Sequence, residues 1–124
     1  MNGDLYLAWT GVGNNRLNIA QVGLDGNGDP VSLADPVVLS ETSPAGPALA
    51  SLNGNFYLAW TGTRNNQLNI AGTSDNLTTF PRMYISPQTS QEAPSLCILN
   101  GNLYLAWTGV GNNKLNIAQS SAQL

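Results

Sequence analysis

The sequence predicts an all-β fold built from repeated units, and three observations lead to this prediction. The stretch NGDLYLAWTGVGNNRLNIAQ at 2–21 returns as NGNFYLAWTGTRNNQLNIAG at 53–72 and as NGNLYLAWTGVGNNKLNIAQ at 100–119. Short runs rich in Leu, Ile and aromatic residues lie between Gly and Asn residues, which is typical of strands and turns. No window of the 124-residue chain keeps an apolar period of 3.6 residues over ten residues, so almost no helix is expected.

The segments between the copies repeat as well. The first and third copies agree at 18 of 20 positions, and the copies start 51 and then 47 residues apart. TSPAGPALASLNG from Thr42 aligns with TSQEAPSLCILNG from Thr89, again 47 residues apart. The four extra residues of the first interval lie in the Gly-rich LDGNGDP, where an insertion is well tolerated. A period of this length predicts stacked units such as propeller blades.

Four strands are predicted in each unit. LYLAW and LNIA form a hairpin, because the Gly and Asn residues of TGVGNN between them tolerate positive φ. Further strands are predicted in PVVLS and RMYIS, and in PALASL and PSLCIL, with an Asn-Gly hairpin turn before the next LYLAW. Both faces of LYLAWTG are apolar, as expected for a sheet that neighbours cover on both sides. Four antiparallel strands in 47 residues predict a β-propeller blade.

One segment carries a family resemblance. TSDNLTTF resembles the Asp-box of sialidase-like propellers, Ser/Thr-x-Asp-x-Gly-x-Thr-Trp/Phe, although Leu77 stands where that motif has Gly. The matching residues are Thr73, Asp75, Thr79 and Phe80. The wider repeat resembles repetitive, lectin-like bacterial β-propeller units over essentially the whole chain. In that family the box lies between the third and outermost strands, which implies the order A (PSLCIL), B (LYLAW), C (LNIA) and D (RMYIS).

With this lettering the chain is expected to be a single partial propeller over 1–124. Strands BCD fall in 2–43, ABCD in 44–90 and ABC in 91–119. A ring needs at least four blades, and about two and a half blades would leave two large apolar blade faces and two incomplete sheets in water. Copies of the chain are therefore expected to complete the ring through an interface that closes head to tail. Some bacterial fucose-binding lectins close a six-bladed ring from three short chains, and by that analogy we favour a trimer over a dimer.

Composition argues against several classes of function. Four Lys and Arg against seven Asp and Glu give a net charge of −3, without the basic stripe that nucleic acid requires. No basic amphipathic helix and no long apolar run supports a membrane role. With no His and one Cys, the chain has no imidazole base, no Ser-His-Asp set and no zinc cluster, so neither an enzyme nor a cofactor is predicted. Cys97, in SLCIL, is predicted to be a small buried hydrophobe.

Carbohydrate binding is the positive function that the sequence favours. Aromatic faces and amide groups hold neutral sugars, and the low charge suits such a ligand. The candidate sugar contacts are Trp9, Asn14, Asn15, Trp60, Asn65, Asn66, Trp107, Asn112 and Asn113. The same Trp residues also suit packing between blades, and the same Asn pairs also suit turns, so both interpretations stay open. Asn18, Asn69 and Asn116, inside LNIA, are interpreted as structural hydrogen-bonding residues.

Two further alternatives stay open. Near-identical copies also suit a self-assembling structural module, natural or engineered, that has no specific ligand. In LDGNGD, Asp25, Asn27 and Asp29 alternate as calcium ligands often do, but no acidic residue closes the loop at the EF-hand distance, which favours a plain turn. NLT at 76–78 matches a glycosylation sequon, and no compartment is predicted.

Overall fold

The computed structural model describes residues 4–73 and 82–119; positions 74–80 of the Asp-box and the NLT sequon lie outside these ranges. Within them the chain forms strands and no helix, which confirms the all-β class, and nothing in them is a helix long and apolar enough to cross a membrane. The strands are β1 (Leu5–Thr10), β2 (Arg16–Leu24), β3 (Pro30–Leu33), β4 (Val37–Thr42), β5 (Ala48–Leu52), β6 (Asn55–Thr61), β7 (Gln67–Thr73), β8 (Arg82–Thr89), β9 (Ser95–Leu99), β10 (Asn102–Thr108) and β11 (Leu115–Gln119).

These strands form three antiparallel sheets in chain order. Sheet 1 contains β1 to β4, sheet 2 contains β5 to β8, and sheet 3 contains β9 to β11. The repeated hairpin has one register throughout, with the Trp of each copy opposite the Asn of LNIA. Among the described residues, sheet 1 has no strand equivalent to β5 and β9, and sheet 3 has no strand equivalent to β8.

The predicted Asn-Gly hairpins are confirmed where they are described. Asn53 and Gly54 have φ angles of 52° and 80°, and Asn100 and Gly101 have φ angles of 52° and 77°. Positive φ at both central residues is the geometry of the two-residue hairpin turn that matches strand twist. These turns fix the register between β5 and β6 and between β9 and β10.

Sheet 1 contains a strand that the sequence did not predict. β3 pairs with the C-terminal part of β2, and β4 pairs with the N-terminal part of β2. In sheet 2, by contrast, β8 alone pairs along the length of β7. The extra residues of the first interval form the turn between β2 and β3. There the Asp25 carboxylate accepts the backbone N–H groups of Asn27 at 2.9 Å and Asp29 at 3.0 Å. The described residues hold no group of three or more His, Cys, Asp or Glu side chains that could bind a metal.

Sheet 2 lies between the other two sheets, and its central strands β6 and β7 are buried on both faces. All of β6 from Phe56 to Thr61 is buried, which explains why both faces of the repeated strand are apolar. The cluster between sheets 1 and 2 contains Leu17, Leu58, Trp60 and Ala71, with Ala8, Leu39 and Leu49 packed against it. The cluster between sheets 2 and 3 contains Ala59, Leu68, Ile70, Leu105 and Trp107, with Ala48 and Leu96 packed against it.

The connections between sheets are held by a repeated set of hydrogen bonds. Ser43 is fully buried; its N–H donates to the carbonyl of Asn15 at 2.9 Å, and its hydroxyl donates to the carbonyl of Ala45 at 2.7 Å. Thr10 donates its hydroxyl to the same Ala45 carbonyl at 2.8 Å. The second connection repeats this set with Ser90, Asn66, Glu92 and Thr61. Each outermost strand is thereby tied to the hairpin loop beside it.

One loop of the repeat holds a strained residue. Arg64 has a φ of 80° at the position that Gly13 and Gly111 occupy, with φ angles of 94° and 91°, in the other two copies. A side chain there is disfavoured by the backbone alone, because a Cβ added at Gly13 or Gly111 would have no neighbour within 4 Å.

Replacing Arg64 by Gly should therefore stabilise the protein. We expect R64G to raise the free energy of unfolding by about 0.5–1 kcal/mol, the released strain less the greater backbone entropy of Gly. Urea unfolding followed by Trp fluorescence measures this change. The matched control is Gly13→Arg, which should lower stability by a similar amount, and a destabilised R64G would contradict the interpretation.

Candidate functional site

The three Trp residues proposed as sugar contacts lie on sheet faces rather than in a common pocket. Trp60 is 1% exposed in the cluster between sheets 1 and 2, and Trp107 is 8% exposed in the cluster between sheets 2 and 3. Trp9 is half-buried in sheet 1. The equivalent Trp residues therefore have different surroundings, which depend on whether another sheet covers their face.

The Asn pairs lie in the hairpin loops, where their groups shape the turns. The side-chain oxygen of Asn14 accepts the N–H of Arg16 at 2.9 Å, and Asn65 and Asn112 make the same bond to the residue two places on. The second Asn of each pair supplies positive φ, at 57° for Asn15, 58° for Asn66 and 56° for Asn113. This geometry accounts for the repetition of these residues without a ligand.

The Asn residues inside LNIA have the structural role predicted for them. The side-chain amide of Asn18 donates to the carbonyl of Arg16 at 3.0 Å, and Asn69 and Asn116 repeat this bond. A Cβ on Gly11 would lie 2.8 Å from Oδ1 of Asn14 and 3.2 Å from Nδ2 of Asn18. The first Gly of TGVGNN is therefore required for space, and the loop is a closely packed unit.

Each sheet has two chemically different faces. In the repeated hairpin, Trp9 lies opposite Asn18 and Thr10 lies opposite Leu17, so Trp and Leu project to opposite sides. We call the side that carries the Trp the Trp face; its members are Leu5, Leu7 and Trp9 in sheet 1, Phe56, Leu58 and Trp60 in sheet 2, and Leu103, Leu105 and Trp107 in sheet 3. We call the other side the Leu–Ile face; its members are Leu17 and Ile19, Leu68 and Ile70, and Leu115 and Ile117.

Two of these six faces are uncovered. Leu115 is 88% exposed and Ile117 is 71% exposed in sheet 3, whereas the equivalent residues of sheets 1 and 2 are buried. On the other side of the molecule, Leu7 is 48% exposed, whereas the equivalent Leu58 and Leu105 are buried. Large apolar surfaces of this kind mark interaction sites in soluble proteins. These two faces are the principal candidate site of the chain.

The prediction that Cys97 is buried was wrong. Cys97 lies opposite Tyr104 in sheet 3, on the same side as Ile117, and it is exposed. The apolar letters around it suggested a core, but only Leu96 of this strand packs against the cluster between sheets 2 and 3. The thiol therefore lies on the uncovered Leu–Ile face.

A second candidate site is a cleft between sheets 2 and 3. Its volume is about 100 Å³. It is lined by Leu68, Ile70, Ser86, Gln88, Leu105, Trp107, Ala118 and Gln119. Of the nine predicted sugar contacts, Trp107 is the one that lines it.

The cleft results from one difference between the repeats. The register of β4 on β2 and of β8 on β7 makes Leu39 and Ser86 equivalent. Leu39 packs against the cluster between sheets 1 and 2, whereas the smaller Ser86 leaves space between sheets 2 and 3. The Ser86 hydroxyl accepts the N–H of Gln88 at 3.0 Å, so polar groups lie beside an apolar floor that includes Trp107.

Comparisons with known proteins add no family. No protein-family model matches the chain, and no curated protein matches it significantly. Two exposed apolar blade faces were expected from the incomplete number of blades, but the residues that form them, and Ser86, were not among the predicted site residues. LNIA and LYLAW occur three times, whereas fewer copies of the neighbouring strands were predicted, which indicates that some sheet faces lack a covering neighbour. The sequence could not show which residues are exposed, because they are the same in covered and uncovered copies.

Proposed function

We propose that the chain is a partial β-propeller that closes its ring by associating with identical chains. The observation that carries this proposal is the pair of uncovered apolar faces, because their residues are copies of residues that are buried elsewhere in the same chain. Soluble proteins avoid leaving such surfaces in water. The function supported best is therefore self-assembly.

The arrangement of the strands supports propeller geometry. Sheet 2 has the order β5, β6, β7, β8, which is the four-stranded antiparallel meander of a blade. Consecutive sheets pack face to face in chain order, and the first strand of sheet 2 contacts both β1 and β9. Contact between the innermost strands of successive sheets is expected where blades surround an axis.

The mass of the native protein tests this proposal. Light scattering over a range of protein concentrations should give a multiple of the 13.1 kDa chain mass. Leu115→Asp should weaken association by about 100-fold or more, because assembly would then bury an unpaired carboxylate. The matched control is Val12→Asp, at a fully exposed loop position, which should leave the mass unchanged. A folded single chain at every concentration would contradict the proposal.

Carbohydrate binding is a second candidate, and the cleft beside Trp107 is the observation that favours it. An aromatic floor beside the polar residues Ser86 and Gln88 suits a neutral sugar, whose C–H groups and hydroxyls need both kinds of partner. The self-assembling module without a specific ligand remains the alternative. The two differ in whether the cleft binds anything.

Filling the cleft separates these two alternatives. Ser86→Leu should raise the free energy of unfolding by about 1 kcal/mol, because Leu39 fills the equivalent space in the other interface. If the cleft holds a sugar, S86L should also abolish binding measured by calorimetric titration with neutral mono- and disaccharides. Ser86→Ala keeps the cleft open and should weaken binding only several-fold. A wild-type protein that binds none of these sugars, or an S86L that binds them equally well, excludes the cleft as a sugar site.

A further inference from the structure

We infer that two chains close the ring head to tail, with the Leu–Ile face of sheet 3 in each chain packed on the Trp face of sheet 1 in the other. This inference rests on the proposed function and adds to it the orientation of the interface and the number of chains. It is argued from the two interfaces between sheets that lie inside a single chain.

Both internal interfaces pair unlike faces in the same order. Between sheets 1 and 2, Leu17 from the Leu–Ile face packs in one cluster with Leu58 and Trp60 from the next Trp face. Between sheets 2 and 3, Leu68 and Ile70 pack with Trp107 in the same way. The Leu–Ile face of each preceding sheet therefore receives the Trp face of the following sheet.

The two uncovered faces are the unmatched halves of this interface. Sheet 3 presents Leu115 and Ile117, which are 88% and 71% exposed, and sheet 1 presents Leu7 and Trp9. The residues of the two uncovered faces are identical to residues that pack inside the chain, with one exception: Leu5 of sheet 1 aligns with Phe56 in sheet 2.

Along the two strands of the repeated hairpin the uncovered Leu–Ile face carries no charged residue. The uncovered Trp face carries one, Arg16 at the start of β2, whose side chain is exposed and donates to the carbonyl of Leu39. The equivalent Lys114 stays exposed beside the internal interface between sheets 2 and 3, so joining the two faces does not require a charge to be buried.

Faces of the same kind do not pack on each other inside the chain. Neither internal interface contains a Trp face packed on a Trp face, or a Leu–Ile face packed on a Leu–Ile face. Unlike faces form a heterologous interface, which closes into a ring or continues into a filament. The orientation is therefore predicted from within the molecule.

The number of chains follows from the number of sheets. Three sheets in each chain give six sheets in two chains and nine in three, and propellers generally have four to eight blades. The trimer expected by analogy would need six blades from three chains, so one repeated hairpin of each chain would have to leave its sheet. Leu17 and Ile19 are fully buried in the first hairpin, and Leu105 is buried in the last. Displacing either hairpin would expose these side chains.

Two blocked variants test the orientation. Leu7→Asp blocks the Trp face of sheet 1 and leaves the Leu–Ile face of sheet 3 free, while Leu115→Asp does the reverse. Both positions are exposed in the single chain, and Leu5→Lys, at a third exposed position, provides a second variant should L7D fold poorly. Circular dichroism checks that each variant keeps its strands, and light scattering gives the mass of each variant alone and of an equimolar mixture.

Head-to-tail pairing predicts that each blocked variant alone is a monomer and that the mixture forms a 1:1 dimer, while the wild type has twice the 13.1 kDa chain mass. A blocked variant that still associates alone would show pairing of like faces, and a wild type of three chains or a filament would show a different closure. Either result overturns this inference and leaves the proposal of self-association intact. A mixture that stays monomeric while the wild type assembles has the same consequence. A monomeric wild type overturns the proposed function itself.

Discussion

The packing of a Trp face on a Leu–Ile face is the interaction on which the rest of this structure depends. It occurs twice inside the chain, once around Trp60 and once around Trp107, and it buries both faces of the central strands of sheet 2. Complete burial of one Leu or Ile side chain contributes about 1.5–3 kcal/mol. Leaving Leu115 and Ile117 largely in water and Leu7 about half in water therefore forgoes several kcal/mol, which association with another chain would recover.

The repeated polar residues support this packing because they give every hairpin the same shape. The Asn residues of the loops and of LNIA hydrogen-bond to their own backbone, and the first Gly of each loop makes room for them. Ser43 and Ser90 then tie each outermost strand to the neighbouring hairpin loop. Hairpins of one shape present their Trp and Leu residues at equal positions, so the same interface can recur from sheet to sheet.

Much of this architecture was predictable from the sequence because its local signals are strong. Strand-forming runs, the Asn-Gly turns and the repeat predicted an all-β chain and the pairings around LYLAW and LNIA. Strand β3 was missed because PVSL follows a Gly-rich turn and pairs with only part of β2. Cys97 was wrongly predicted to be buried, and the sequence left open whether Trp9, Trp60 and Trp107 pack between sheets or contact a ligand. Both results have one physical reason. The burial of a residue in a repeat depends on whether a neighbouring sheet covers its face. Copies with the same sequence do not show which of them is covered.

The reactivity of Cys97 tests most directly whether the uncovered face is covered in solution. This thiol is the one cysteine of the chain, and it is exposed on the same side of sheet 3 as Ile117. The measurement is the rate of alkylation by iodoacetamide at protein concentrations spanning assembly, in the wild type and in L115D. A covered face predicts that the wild-type rate falls as concentration rises while the L115D rate stays high. Equal rates in both proteins at every concentration would contradict the account.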